Sequence, residues 1–494
     1  MGAILRFPAI SAILLGSFAV LGFAPFYFYP ATILALTGLF FLWRQPATSR
    51  QMAKLGFAFG LGFFGAGVSW IYISLHDFGE MPMLVAGFAT AAFSAFLALF
   101  PALAGWYAGK FSSATKQLAI PLLWVLQEWI RNWIFTGFPW LAVGYSQVPY
   151  SPLAGLAPIF GIYGVSLAVT ACAALIAATL AGALSKKRLT LLLALFWFGG
   201  AALLHIEWSQ PNGKPVSFSL LQGNIAQDLK WREDELKHTL QIYRKMALAS
   251  QAQLIVLPEM AFPLLLEDLP VDYLASLAQH ARQQGGDVLV GVPEARRELD
   301  GIHYFNSMLS YGTSPTQTYR KSHLVPFGEF IPFKPLLGWV YRDLLHIPLA
   351  DLDSGGTDQR PFQINNQKIA MNICYEDVFG EEIIRQLPEA TLLVNVSNDA
   401  WYGRSLAAHQ HMQMSQARAL ETSRMVLRAT NTGATAAINR DGRVLAEVPH
   451  FKQATLEGQV QGYIGTTPYV RWGNWPVITL IILAIGVLWG RKKK

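Results

Sequence analysis

Long apolar runs, seven before residue 206 and one more near the C-terminal end, constrain this 494-residue chain more than any other feature. Each is close to the ~20 residues that a helix needs to cross a bilayer. The spacing predicts helices near residues 4–22, 27–43, 55–75, 82–107, 118–136, 154–184 and 189–206, with an eighth near 475–490. A secretory signal peptide would account for the first run alone. No small-residue cleavage site followed by soluble sequence occurs there, so that run is read as a retained helix. With 53% hydrophobic and only 14% charged residues, the chain is neither disordered nor an ordinary soluble protein, for which about 25% charged is usual. Residues 1–208 are therefore expected to form a membrane domain.

Lysine and arginine assign the sides. Arg44, Arg50 and Lys54 lie between the second and third runs, Lys110 and Lys116 between the fourth and fifth, and Lys186, Lys187 and Arg188 between the sixth and seventh. The alternate loops carry almost none. By the positive-inside rule these loops, both termini and the terminal Arg491, Lys492, Lys493 and Lys494 are cytoplasmic, and residues 207–474 lie on the opposite side. Much of the net charge of +7 is then topology, and no nucleic-acid partner is implied. Glu128 and Arg131 interrupt the fifth run at helical spacing, which leaves open a structural pair or a substrate-facing role. Gly137, Phe138, Pro139 and Trp140, with Tyr145 and Tyr150, read as an interfacial aromatic belt, and His76, Asp77 and Glu80 as a solvated turn.

After Pro211, Asn212 and Gly213 the pattern changes to short β-rich runs alternating with amphipathic segments. Strands are predicted at 216–224, 254–260, 287–293, 306–311, 317–321, 369–376 and 392–398, with a pair inside 427–448 turned by Asp441 and Gly442. Helices are predicted at 233–250, 271–284 and 405–423. Such alternation predicts an α/β domain over 214–466, with reactive groups where strands end.

Three segments place reactive side chains at such ends. Leu254 to Leu257, Pro258 and Glu259 deliver a carboxylate from an apolar strand, either as a base or as a carboxylate bonded to neighbouring amides. Lys321 opens a segment running to Pro332 that is rich in polar groups, and its ammonium suits a thiolate or an oxyanion. Ile369 to Ile373 end at Cys374, followed by Tyr375, Glu376 and Asp377. A buried strand cysteine is core filler more often than a nucleophile. Core filler does not need Tyr, Glu and Asp directly after it, and Cys with a Glu base and a Lys cation is a coherent nucleophile set. The other cysteine, Cys172, lies inside an apolar run, which argues against a bridge.

These segments, in this order, resemble the nitrilase superfamily, whose catalytic set is Glu, Lys and Cys on an α-β-β-α sandwich. With seven helices before the domain and one after it, nearly the whole chain resembles the apolipoprotein N-acyltransferase family. Its most specific parts are Lys321 through Pro332, Asn395 through Gly403, Thr467 to Tyr469, and Gly473 to Trp475. The resemblance implies Cys374 as nucleophile, Glu259 as general base and Lys321 as stabiliser of the tetrahedral intermediate. It further implies that Glu329 supports the lysine and base, that Tyr375 and Glu376 shape the site, and that Trp231 sits on a loop over it. The implied fold is a polytopic α-helical membrane bundle of eight transmembrane helices, seven before and one after a periplasmic α-β-β-α domain, in a bacterial inner membrane. The implied reaction is ping-pong. Cys374 attacks a phospholipid ester, and the resulting thioester acylates the α-amine of a diacylglyceryl-cysteine at the N-terminus of an apolipoprotein. No cofactor is implied.

Phe262 to Leu266 and Leu336 to Val340 read equally as lid loops or core. His409, His411, Met412 and Met414 lack ligand spacing for a metal and read as a helix face. Arg418 and Glu421 read as an i, i+3 helix pair. A membrane-anchored amidase or nitrilase acting on a small C–N substrate is the main alternative, although seven helices are excessive for an anchor. A transporter or receptor with an inert external domain is disfavoured by the intact Glu259, Lys321 and Cys374.

Overall fold

Residues 6–44, 48–228, 230, 232–332 and 351–491 are described by the structure, a computed structural model. Trp231, Lys492 to Lys494 and the Leu336 to Val340 run lie outside the described residues. Helices form at all eight expected places: Pro8–Ala19, Pro30–Arg44, Ser49–Gly67, Met83–Ala108, Ser113–Arg131, Ala157–Leu180, Lys186–Leu203 and Trp475–Gly490. Their starts have local causes. Thr48 and Gln51 form a capping box before Ser49–Gly67, and Ser185 accepts from the Arg188 amide ahead of Lys186–Leu203.

Their reach is unequal. Among the described residues, two helices are long and apolar enough to cross a membrane alone, Met83–Ala108 and Pro152–Leu180. Ser49–Gly67 adds a third only if counted with Ile71–Phe78, from which it is bent by 58°. Pro8–Gly22, Pro30–Arg44 and Trp475–Gly490 are apolar but shorter. The structure thus supports an apolar helical region without fixing eight spans. Small residues bring the helices together: a side chain at Gly60 would collide with Ala98 of Met83–Ala108.

Within the soluble half the strands are β1 (Ser209–Gln222), β2 (Leu254–Val256), β3 (Asp287–Glu298), β4 (Gly301–Gly312), β5 (Gln317–Arg320), β6 (Phe362–Ile364), β7 (Gln367–Ile373), β8 (Leu392–Ser397), β9 (Val426–Thr430), β10 (Ala436–Ile438), β11 (Val444–Glu447) and β12 (Ala454–Gly465). They build two six-stranded sheets, ordered β12-β1-β2-β3-β4-β5 and β11-β10-β9-β8-β7-β6. The central strands β1-β2-β3 and β7-β8-β9 run parallel. Phe218, Leu220, Val256 and Leu289 face Ile373, Val394 and Leu427 between the sheets. Helices Glu233–Ala249 and Val271–Gln283 cover the outer face of the first sheet, and Ala407–Thr422 that of the second. The result is an α-β-β-α sandwich. Sequence periodicity misses β6 and β12, which are short or half-polar, and the pair expected inside 427–448 is β10 and β11, with β9 a further strand before them.

Helix Ala407–Thr422 does not have the solvated face expected of an amphipathic segment: every residue in it but His409 is buried. Its second side is covered by the membrane helices. Gln410 accepts from the Trp70 and Trp140 indoles and donates to the Gly67 carbonyl (3.1 Å), which the helix break has freed. Gln413 joins the Ala24 amide to the Val148 carbonyl, both at 2.9 Å. Glu421 accepts from the Ile162 amide at 2.8 Å, directly after the non-helical Gly161, and pairs with Arg418 at 2.9 Å as expected.

The aromatic-belt reading is corrected in part. Trp140 and Tyr145 are buried, the former stacked on Tyr375, whereas Tyr150 is 57% exposed. Glu128 and Arg131 turn out to be structural. Glu128 accepts from Trp124, the Val143 amide and Ser166, while Arg131 donates to the carbonyls of Phe138 and Trp140 (2.6 Å each), which pins the loop between them.

Replacing Gln413 by Leu keeps the volume and strands one amide and one carbonyl at the junction, each costing about 1–3 kcal/mol. Thermal unfolding of the purified protein in detergent is expected several degrees lower than wild type. An unchanged midpoint would show that the junction contributes little.

Candidate active site

Loops leaving the C-terminal ends of parallel strands converge over the edge of the sandwich, the usual place for reactive groups in such sheets. Pro258 carries the chain from β2 to Glu259, and Gly291 on β3 allows that close approach, since a Cβ there would lie 3.0 Å from the Glu259 Cα. Glu259 is buried and fully engaged. Its Oε1 accepts from Asn306 Nδ2 (2.7 Å) and lies 3.3 Å from Lys321 Nζ, and its Oε2 accepts from the Asn398 amide at 2.8 Å.

Lys321 follows β5 and is 1% exposed. Its ammonium lies 2.9 Å from Glu329 Oε1 as well as 3.3 Å from Glu259. Burial pulls its pKa down, but Glu329 and Glu259 together outweigh it and hold the group well above its ordinary value. Glu329 is fixed in turn by the Val325 amide at 2.7 Å. Breaking such a buried pair from one side leaves an uncompensated charge.

Cys374 directly follows β7 in the left-handed region, with φ of 53°. Its thiol pKa stands well above the ordinary value, raised by burial and then by Glu259, with Lys321 opposing. That direction favours the neutral thiol, so a nucleophilic role would require a base to take its proton. Glu259 is the nearby carboxylate whose field the thiol feels most strongly.

Tyr375 and Glu376 do different work. The Tyr375 hydroxyl donates to the Gly137 carbonyl at 2.8 Å and ties the cysteine turn to the membrane half. Glu376 accepts from the Ile373 and Ser322 amides (2.6 Å each), the His323 amide (3.2 Å) and Tyr319, thereby binding the cysteine turn to the lysine loop. Burial pushes its pKa up to about 7 against those donors. The structure thus brings Glu259, Lys321, Cys374, Glu329, Tyr375 and Glu376 together; Trp231 is the one expected site residue not described. Phe262 is fully buried against Tyr243 and Tyr273, so core packing rather than a lid explains that end of its run.

Sequence reasoning missed several groups. Asn306 clamps both glutamates, at 2.7 and 3.1 Å. Lys230 is buried nearby, and that burial lowers its ammonium to about 8 against the charge of Glu259. Beneath Cys374 lie His411, Asp377, Asp399 and Arg428, bonded to one another. Burial would raise the Asp399 carboxyl, yet Arg428 beside it holds it well below the usual range. An arginine flanked by Leu427 and Ala429 inside a strand was the available sign, because charge at a core position demands partners.

Residues 15–175 match the family described as Apolipoprotein N-acyltransferase N-terminal domain, and residues 219–469 match Carbon-nitrogen hydrolase. A protein of Nitrosomonas europaea named apolipoprotein N-acyltransferase is 52% identical over 99% of both chains. Proteins of the same name from Chromobacterium violaceum and Methylococcus capsulatus are 43% and 42% identical, covering 98% and 96% of this chain and 94% of each of theirs.

The raised thiol pKa sets a pH dependence. In a Cys172→Ala background, alkylation of Cys374 by iodoacetamide is expected to be slow at neutral pH and to rise about tenfold per pH unit through pH 9, following the thiolate fraction. A rate already level at pH 7 would contradict a thiol that is neutral at rest.

Proposed function

The chain belongs to the apolipoprotein N-acyltransferase family, and on that premise we propose that Glu259, Lys321 and Cys374 carry its reaction in two half-steps. Glu259 takes the thiol proton as Cys374 attacks the ester carbonyl of a phospholipid. Lys321 faces the negative charge that develops on the carbonyl oxygen. The intermediate collapses to a thioester, and the proton on Glu259 goes to the departing lysophospholipid alkoxide. The α-amine of a diacylglyceryl-cysteine then attacks the thioester, Glu259 removes its extra proton, and the amide product leaves the thiolate to be reprotonated.

The observation that carries this reading is the buried convergence of one base, one ammonium and one strained cysteine, with Lys321 bonded to Glu259 at 3.3 Å. Glu329 sets the lysine, Glu376 and Tyr375 hold the turn beside the thiol, and Trp231 keeps the substrate-binding role that the family resemblance implies. A thioester must be kept from water until the amine arrives. The bond from Tyr375 to Gly137 supports a site opening at the junction with the bundle, where acyl chains enter and water is scarce.

The same proposal covers topology. Residues 1–208 form a seven-helix membrane domain, 214–466 the catalytic domain, and 475–490 the closing span, in a bacterial inner membrane with both termini cytoplasmic and the catalytic domain periplasmic. Ala24, Gly67, Trp140, Val148 and Ile162, which meet helix Ala407–Thr422, all come from helix ends and loops opposite to the basic ones. That segregation is what the positive-inside rule requires.

Intact-protein mass after incubation with phosphatidylethanolamine alone tests the first half-step. An acyl-sized increment mapped to Cys374 is expected, absent in Cys374→Ala and formed about 10²–10⁴ times more slowly in Glu259→Gln. No increment on the wild type with phospholipid, but one with a small amide, would favour the hydrolase alternative instead.

A further inference from the structure

A residue with a side chain is strained at positive φ and stays there only when its surroundings hold it. Cys374, at φ 53°, is held by its own peptide oxygen, which lies 3.2 Å from Asn395 Nδ2 and 3.2 Å from His411 Nε2. His411 projects from the helix that joins the sandwich to the membrane bundle and is 1% exposed.

Its hydrogen positions follow from its partners. Nε2 faces only acceptors, Asp377 Oδ1 at 2.7 Å and the Cys374 carbonyl at 3.2 Å, so it carries a hydrogen that points mainly to Asp377 and is shared with the carbonyl. Nδ1 lies 2.7 Å from Arg428 Nη2, a group that can only donate, and therefore accepts. Asp399 Oδ1 is more distant from that nitrogen, at 3.1 Å, and Asp399 is served by Ser397 Oγ (2.8 Å) and Arg428 Nη2 (2.9 Å). Arg428 also donates from Nη1 to Asn395 Oδ1 at 2.7 Å. One guanidinium therefore sets both the amide orientation of Asn395 and the tautomer of His411. Each is left presenting an N–H to the same oxygen.

We propose that His411 is a positioning residue for the nucleophile: its Nε2–H, oriented by Arg428 and Asp377, clamps the Cys374 peptide oxygen and so aims the thiol at Glu259 and Lys321. The proposal rests on Cys374 being the nucleophile. Releasing the clamp lets the peptide rotate toward an unstrained conformation, and a displacement of about 1 Å at a reacting atom costs on the order of 100-fold in rate. Substrate binding is expected to be unchanged, because His411 is 1% exposed and offers no surface to an acyl chain.

The test follows acylation of Cys374 by phosphatidylethanolamine in the full-length protein, by intact mass against time, with folding checked by thermal unfolding. Folded His411→Leu is expected to acylate at least tenfold more slowly at saturating phospholipid, with an unchanged half-saturating concentration. His411→Gln, which keeps an N–H donor, is expected within threefold of wild type. A leucine variant at the wild-type rate, or a glutamine variant as slow as a folded leucine variant, overturns the proposal. If the leucine variant does not fold, the glutamine variant decides: within threefold supports the clamp, and a tenfold loss overturns it. Absence of any adduct on the wild type would instead reject Cys374 as nucleophile, an outcome distinct from either.

Discussion

A lysine ammonium can be buried only if opposite charge is buried with it, and around Lys321 that requirement organises the catalytic half. Two carboxylates, Glu259 and Glu329, lie within 3.3 Å of it, and Asn306 bonds to both, so four side chains from three separate segments have one mutually consistent arrangement. The arrangement sets the chemistry as well. The ammonium stays charged, and the charge of Glu259 adds to burial in raising the pKa of the Cys374 thiol.

The second constraint is the shared helix Ala407–Thr422. A helix whose outer side faced water would need no buried glutamines. Here Gln410 and Gln413 satisfy backbone groups that the membrane helices expose at their breaks, while His411 and Ser415 on the same helix reach the charged cluster beneath Cys374. Bundle and nucleophile are therefore held by one rigid element. Cys374, bonded to this helix through His411, is thereby held in a fixed position relative to the bundle.

Much of this was legible in the residues themselves. Glu259 and Cys374 each follow an apolar strand, where a polar group stands out against its neighbours, whereas Lys321 follows the polar β5, and the two halves of the chain differ plainly in hydropathy. The eight helical runs were legible too, but their length as spans was not. A run such as 55–75 holds a break after Gly67, where the freed carbonyl is satisfied by Gln410 from a distant part of the chain. Trp140 and Tyr145 looked like lipid-facing aromatics because local sequence cannot show that another domain covers them. His411 carried no readable sign of its role, which comes from groups 12 to 37 residues away in the chain.

The central claim is that an acyl group rests on Cys374 and passes to an amine in preference to water. Acyl-enzyme formed from a phospholipid with an isotopically heavy acyl chain, freed of excess lipid and then mixed with a synthetic peptide bearing an N-terminal diacylglyceryl-cysteine, measures that partition. The account predicts that the heavy acyl group leaves Cys374 at least as fast as steady-state turnover and appears as an amide on the peptide N-terminus. Loss of the group as free fatty acid at the same rate with or without peptide, or its persistence on the enzyme, would contradict it.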